Sequence, residues 1–160
     1  MKDLWVSKEI ASEISYPPNR GGIRIRFQPN ANSEVRESLI KFLRWVRINY
    51  AFPVRVPIYV KNATKVKALD GEYVSATFFG PFNPSLEPYI RIAIGDYGDI
   101  KKRCGKDNAL ATILYTVCHE LSHYYQWIGN VNSSDRGLEI QAVIHAKKIM
   151  AEYQCVREHP

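Results

Sequence analysis

Hydrophobic and polar residues alternate with two different periods near the start of the chain. In IRIRFQ, Ile23, Ile25 and Phe27 alternate with arginines, which is the period-2 pattern of a half-buried strand. In EVRESLIKFLRWVRINY, apolar residues recur at helical spacing: Val35, Leu39, Phe42, Leu43 and Val46. The pattern predicts a strand followed by a helix that packs on a sheet, with Asn32 or Ser33 as the helix N-cap.

Three further segments have strand patterns. PVRVPIYV predicts a second strand, and its Pro57 favours a sheet edge or a bulge because proline donates no backbone hydrogen bond. KVKALDGEYVSATFF predicts two antiparallel strands joined at Asp70 and Gly71 by a type I′ turn. YIRIAI predicts the last strand of this β-rich half.

The second half of the chain has a helical character. Neither glycine nor proline occurs between residues 106 and 128, which predicts one helix with Asp107 or Asn108 as N-cap and Gly129 as its stop. A second long helix is predicted from about residue 133 to residue 156. Sheet first and helices afterwards predict an α+β fold: a small mixed or antiparallel sheet of about four to five strands packed on a helix, followed by two helices.

Length and composition predict one folded domain. The chain has 160 residues, of which 46% are hydrophobic and 24% charged, and this composition excludes a disordered chain. YPPNRGG separates an N-terminal arm or short helix over residues 1–21 from a single domain over residues 22–160. No apolar run approaches the roughly 18 residues of a membrane span, and charges interrupt the N-terminal segment. We therefore expect a cytoplasmic protein with no membrane partner.

The cysteines and the net charge limit the kinds of site and partner that the sequence predicts. The three cysteines are odd in number and lack CxxC spacing, which fits neither a disulfide framework nor a thiolate zinc site and favours reduced, mostly structural thiols. The net charge is +6, which can attract nucleic acid. The sequence shows no recognition motif and no basic stripe interleaved with aromatic residues, so solvated helix faces are the favoured interpretation and nucleic acid is not an expected partner.

The segment VCHELSHYYQ carries the strongest chemical signal. Its His119 and His123 lie four residues apart, on one face of a helix, and can direct both imidazoles at one metal ion. Zinc suits neutral imidazole ligands and lowers the pKa of a bound water from about 15.7 to near 7. Glu120 lies one step around the helix, where it can act as general base toward that water. The pattern therefore indicates zinc-dependent hydrolysis.

Uncharged residues surround the HExxH pentad, as a helix buried beneath an active site requires. They are Thr116, Val117, Cys118, Leu121, Ser122, Tyr124 and Tyr125. The alternative is two structural histidines beside a paired glutamate, which would cost several kcal/mol of desolvation without an ion. TVCHELSHYY resembles the long zincin consensus, in which the pentad has such flanks.

A catalytic zinc site needs a third protein ligand, and the sequence offers two. GLEIQAVIHA resembles the ExxA glutamate helix of gluzincins, which implies Glu139 as the ligand and Ala142 as the small residue that allows close helix packing. His145 is the competitor, because SprT-like zincins use a third histidine. The two residues are about 120° apart on a helix, so only one can face the metal. The metzincin pattern HExxHxxGxxH does not fit, because Gln126 and Gly129 occupy its last two positions.

Residues 22–157 as a whole resemble a minimal gluzincin, similar in layout to the compact cytoplasmic ImmA/IrrE-type peptidases and the minigluzincins. The resemblance implies one Zn²⁺ per chain and hydrolysis of a peptide or protein substrate, held as an added strand on EYVSATFF or YIRIAI. It also implies a group that stabilises the oxyanion, and the candidates are Tyr97, Arg91, Tyr124 and Tyr125. The alternative function is a regulatory or toxin-associated zincin that acts on one specific partner with little general protease activity.

One position departs from the thermolysin-type pattern. The aspartate that orients the first histidine in thermolysin-type enzymes would follow the ligand glutamate by four residues, and the chain has Val143 there. Another acceptor must therefore orient the imidazoles, since metal-binding histidines almost always donate their second N–H to a neighbour.

Overall fold

A computed structural model describes residues 3–11, 21–83 and 86–156 of the chain. These residues form five helices and six strands. In chain order they are α1 (Lys8–Ala11), β1 (Ile23–Phe27), α2 (Ser33–Asn49), β2 (Val56–Lys61), β3 (Val66–Lys67), β4 (Tyr73–Val74), β5 (Ala76–Phe79), β6 (Tyr89–Ala93), α3 (Tyr97–Cys104), α4 (Lys106–Ile128) and α5 (Asp135–Val156). The predicted α+β class is confirmed.

The main sheet is mixed and has four strands in the order β1-β2-β6-β5. β1, β2 and β6 run parallel, and β5 pairs antiparallel with β6. β3 and β4 form a separate two-stranded hairpin. β5 therefore lies at the edge of the sheet, whereas β6, the other strand suggested for substrate binding, lies inside it.

Helix α2 has the N-cap and the buried face that its sequence predicts. The Asn32 side chain accepts hydrogen bonds from the backbone amides of Glu34 and Val35, which satisfies two of the unpaired donors at a helix start. All five of the apolar positions predicted to line one helical face are buried. Each fully buried aliphatic or aromatic side chain contributes about 1.5–3 kcal/mol, so this face fixes the helix on the sheet.

Pro57 was predicted to mark a sheet edge or a bulge, and this prediction is wrong. β2 lies inside the sheet, between β1 and β6. Val56 donates its amide toward β1, to the Gly22 carbonyl, so the nitrogen of Pro57 faces the β6 side. Pairing with β6 begins only at Ile58. The N–H that Pro57 lacks would therefore lie just before the first residue pair between β2 and β6, where no hydrogen bond is lost.

The β3–β4 hairpin is present, but its turn is not type I′. Only Gly71 has a positive φ, of 90°, whereas a type I′ turn also needs a positive φ at Asp70. Gly71 donates to the Ala68 carbonyl, and Ala68 donates to the Glu72 carbonyl. This is a type I turn followed by a left-handed glycine, the usual three-residue hairpin loop.

The helical half contains one helix more than its sequence pattern indicates. α3 precedes α4 and ends at Gly105, whose φ of 86° suits glycine. Gly105 is also the residue before α4, so the prediction of Asp107 or Asn108 as N-cap is wrong. Asn108 instead donates to the Cys104 carbonyl. α4 ends before Gly129, as predicted, and packs extensively along α5.

The described part of the N-terminal arm packs on the domain. Trp5 is buried and donates its indole N–H to Ser122 of α4 at 2.9 Å, and Ser7 forms a β-bridge with Tyr50. The three cysteines are free, and only Cys118 is buried, so a mostly structural role for the thiols does not hold. No helix in the described ranges is both long and apolar enough to cross a membrane.

Candidate metal centre

Helices α4 and α5 bring His119, His123 and Glu139 together. Glu139 Oε2 lies 3.1 Å from His119 Nε2, and Glu139 Oε1 lies 2.8 Å from His123 Nε2. The two imidazole centroids are 4.9 Å apart, as expected for residues one helical turn apart. One carboxylate therefore faces both histidines, each through a different oxygen.

The donor set suits a zinc ion. The three ligand atoms lie within 4.8 Å of one another, and two imidazole nitrogens with one carboxylate are a common catalytic zinc shell that leaves a fourth position open. Burial and the neighbouring His123 lower the pKa of His119, which favours the neutral imidazole that a metal requires. No other group of this kind occurs within the described ranges.

Gln126 orients the imidazole of His123, and the sequence interpretation did not identify it. Its side-chain amide group donates to the Leu138 carbonyl at 2.8 Å and to Gln141 Oε1 at 2.9 Å. These two acceptors fix the amide, so its oxygen must accept from His123 Nδ1 at 2.8 Å. With Nδ1 protonated, Nε2 presents its lone pair toward Glu139 and the metal position.

We expect Gln126→Met to weaken zinc binding about 10- to 100-fold, the usual cost of removing a partner of a metal-binding histidine. Methionine keeps the length of the side chain in this buried position, but its thioether sulfur is only a weak acceptor for the Nδ1 N–H. Gln154→Met is the control for the same substitution, because Gln154 is exposed on α5 and lies outside the cleft that the two histidines line. Competition with a fluorescent zinc chelator measures both affinities, and equal losses in the two variants would contradict the assignment.

Glu120 is buried beside this group. Its exposed fraction is 7%, and burial, followed by the negative charge of Glu139, raises the pKa of its carboxyl to about 8. A hydrogen bond with the Phe78 backbone opposes this shift. A carboxyl with a pKa near neutral can both accept and return a proton at physiological pH.

The raised pKa of Glu120 predicts a pH effect on the metal-free protein. Between about pH 4.5 and pH 8 the folded state holds a proton that the unfolded state releases, so the free energy of unfolding falls as pH rises. The loss amounts to several kcal/mol at about 1.4 kcal/mol per pKa unit. Glu120→Gln removes it, so urea denaturation with a chelator present should show the variant gaining stability over the parent as pH rises. A difference that stays constant over this range would contradict the shift.

A cleft of about 680 Å³ opens on the group. It lies between α4, α5, the hairpin and the edge strand β5. Its apolar lining includes Ala68, Val74, Ala76, Trp127, Val131 and Leu138. Gly80 allows a close approach here, because a Cβ at this position would lie 2.6 Å from the Trp127 ring. An extended chain thus has room beside β5, next to Glu120.

The remaining sequence candidates lie elsewhere. His145 is buried on α5 beside Asp3 and Trp5, in a different pocket, and does not belong to the group of His119, His123 and Glu139 that could hold a metal. Tyr124 and Tyr125 are buried, and their hydroxyls donate to the backbone carbonyls of Val54 and Ala51.

Two more oxyanion candidates are also turned away from the metal position. The Tyr97 hydroxyl donates to Glu34, and Arg91 donates to the Lys67 carbonyl from β6. Neither residue lines the cleft. An aromatic residue that the sequence interpretation did not consider, Tyr115, does lie nearby, with its ring centroid 6.4 Å from that of His119.

Comparisons of the chain with models of protein families, with curated proteins and with solved structures found no match.

Proposed function

We propose that the protein is a zinc-dependent peptidase of the gluzincin type, with a zincin-like fold. The observation that carries this proposal is the group of His119, His123 and Glu139 on two packed helices, with the buried Glu120 next to it and a cleft above. If the histidines were structural and Glu139 were only a surface residue, the three side chains would have no need to lie together beside a buried carboxyl and a cleft. Three free cysteines also fit a reducing compartment, and we include a cytoplasmic location in the proposal.

His119, His123 and Glu139 would hold the zinc, and Gln126 would keep His123 in the required tautomer. When bound, zinc polarises a substrate carbonyl and makes water a stronger acid. Glu120 supplies the proton transfers: its carboxylate accepts a proton from the attacking water and delivers it to the leaving amine. Its burial keeps bulk water from competing for that proton.

The substrate fits as an extended peptide on the free edge of β5. Among the described strands β5 pairs only with β6, so its other side can pair with an added strand. The cleft beside it is lined by Thr77, by the histidines and by apolar side chains. Backbone pairing would hold the peptide, and the apolar walls would favour hydrophobic side chains next to the cleaved bond.

The test combines zinc content with hydrolysis. Protein purified without chelator should contain about one zinc per chain and cleave a library of quenched fluorescent peptides. A chelator should abolish cleavage, and added zinc should restore it. Protein that binds no zinc would contradict the metal site, whereas protein that binds zinc at His119 and His123 but cleaves no peptide would contradict only the reaction.

A second function, cleavage of one protein partner, is favoured by the exposed apolar side chains around β5. Leu69 and Tyr73 of the hairpin precede the strand, Phe82 follows it, and all three are exposed. Exposed apolar residues before and after the edge strand fit a large substrate surface better than a short peptide. Incubation with a proteome from cells that express the chain should yield one product cut at one site, whereas unstructured casein should remain intact.

A further inference from the structure

The two faces of the main sheet differ in composition. Alternate residues point to opposite sides of a strand, and the strand register places Ile25, Ile58, Ile90 and Phe78 in one row across the sheet. This face belongs to the hydrophobic core that α2 and α4 also form. The other face carries the intervening residues, and none of its side chains belongs to that core. We call it the outer face.

Three aromatic side chains lie next to one another on the outer face. The Tyr59 and Tyr89 centroids are 6.2 Å apart, and the Tyr89 and Phe79 centroids are 5.1 Å apart. The residues come from three adjacent strands, β2, β6 and β5, and all are half-buried rather than covered. Aromatic rings on such a surface serve as stacking partners for flat ligands.

Basic side chains surround these rings. Arg24 and Arg26 are exposed on β1. The Lys61 ammonium lies 5.7 Å from the Tyr59 centroid, and the Arg91 guanidinium lies 5.6 Å from the Tyr89 centroid. The four strands contain no aspartate or glutamate. The outer face therefore combines four basic side chains, of which Arg91 also donates to the Lys67 carbonyl, with π surfaces across the width of the sheet.

We propose that the outer face binds single-stranded nucleic acid. Bases of a single strand can stack on Tyr59, Tyr89 and Phe79, while the surrounding cations contact phosphates. A duplex keeps its bases stacked internally and could use only the charges. An acidic protein would likewise use the charges but gain little from three adjacent rings. The combination thus favours single strands over both of these ligands.

This site is separate from the metal centre. None of the seven aromatic and basic residues of the outer face lines the cleft, and α4, which carries His119, packs on the inner face against β5 and β6. Binding on the outer face therefore does not depend on the proposed peptidase activity. It would bring the catalytic cleft to protein substrates that are themselves bound to nucleic acid.

Fluorescence anisotropy with labelled oligo(dT) and oligo(U) of about 12 nucleotides tests the proposal on the full chain. Binding should weaken as salt rises, with a log–log slope of about −3 if four phosphates are contacted. Arg24→Gln combined with Lys61→Gln should weaken binding about tenfold or more and flatten the slope by about half. Tyr89→Leu keeps the charge and should weaken binding about tenfold, because only stacking is lost.

Lys102→Gln combined with Arg103→Gln is the matched control. It removes the same charge from exposed positions on α3 and should leave affinity almost unchanged, and thermal melts check that every variant folds. Equal loss in the two charge pairs would overturn the proposal, since binding would then reflect net charge alone. A duplex bound as tightly as a single strand, or a polyglutamate peptide bound more tightly than either, would overturn it as well.

Discussion

Glu120→Gln is expected to lower kcat for peptide cleavage by about 10²- to 10⁴-fold, the usual contribution of a positioned general base, while zinc content stays at about one per chain. Glutamine has nearly the same shape, so it can occupy the same buried position without the cost of a buried carboxyl. It cannot accept a proton from water at any relevant pH. Steady-state kinetics with the best library peptide, together with metal analysis of the same sample, measures both quantities.

The retained zinc is what distinguishes a general base from a metal ligand. Glu37→Gln is the control for the loss of one negative charge, because Glu37 is exposed on α2 and should leave kcat unchanged. A Glu120→Gln variant that cleaves peptides at the parent rate would refute the assigned role. A variant that loses its zinc would instead show that Glu120 belongs to the metal shell.

The fold could be predicted where the signal is local. The five buried positions of α2 and its Asn32 cap lie within a few turns of one another, and the structure confirms both. The position of Pro57 depends on a partner strand about thirty residues away, because parallel pairing with β6 starts one residue later. Proline is normally confined to edge strands and bulges, and Pro57 is tolerated inside the sheet because the pairing of β2 with β6 begins at the next residue. The sequence around Pro57 does not contain this long-range register.

The candidate metal-binding group could be predicted from sequence for the same reason. His119 and His123 are related by a single helical turn, so their proximity needs no tertiary information. Glu139 followed from its resemblance to a known glutamate helix, and the structure places it within 3.1 Å of both imidazoles. Gln126 was missed, because its orientation is set by Leu138 and Gln141 on the following helix.

The four residues proposed to stabilise the oxyanion, three tyrosines and Arg91, could not be assigned from sequence. Tyrosine is amphipathic, and its sequence position does not reveal whether its hydroxyl faces a cleft or a backbone carbonyl. Tyr124 and Tyr125 tie α4 to the segment before β2, so the residues directly after the HExxH pentad have a structural role. The outer face was also missed, because its aromatic and basic residues are separated along the chain and meet only across four strands.

Glu139→Gln is expected to abolish most of the thermal stabilisation that zinc gives the protein. At a free zinc concentration of about 100 times Kd, the parent gains about 2.7 kcal/mol, which for a domain of this size raises Tm by roughly 5–10 °C. Neutralising a direct ligand should weaken binding at least as much as losing an outer partner, or about 100-fold. At the same zinc concentration the gain then falls to about 0.4 kcal/mol, or roughly 1–2 °C.

Two controls connect this loss to Glu139 itself. Asp135→Asn removes the same charge from an exposed position on the same helix and should keep the full zinc-dependent rise in Tm. His145→Gln tests the competing ligand: because His145 faces the N-terminal arm rather than the cleft, its replacement can change the Tm of the metal-free protein but not the increment that zinc adds. Calorimetric scans with and without zinc give both values for each variant. The assignment of Glu139 would be wrong if the zinc-dependent rise in Tm survived Glu139→Gln and disappeared in His145→Gln. The third ligand would then be His145, because loss of a direct ligand weakens zinc binding and with it the stabilisation of the folded state.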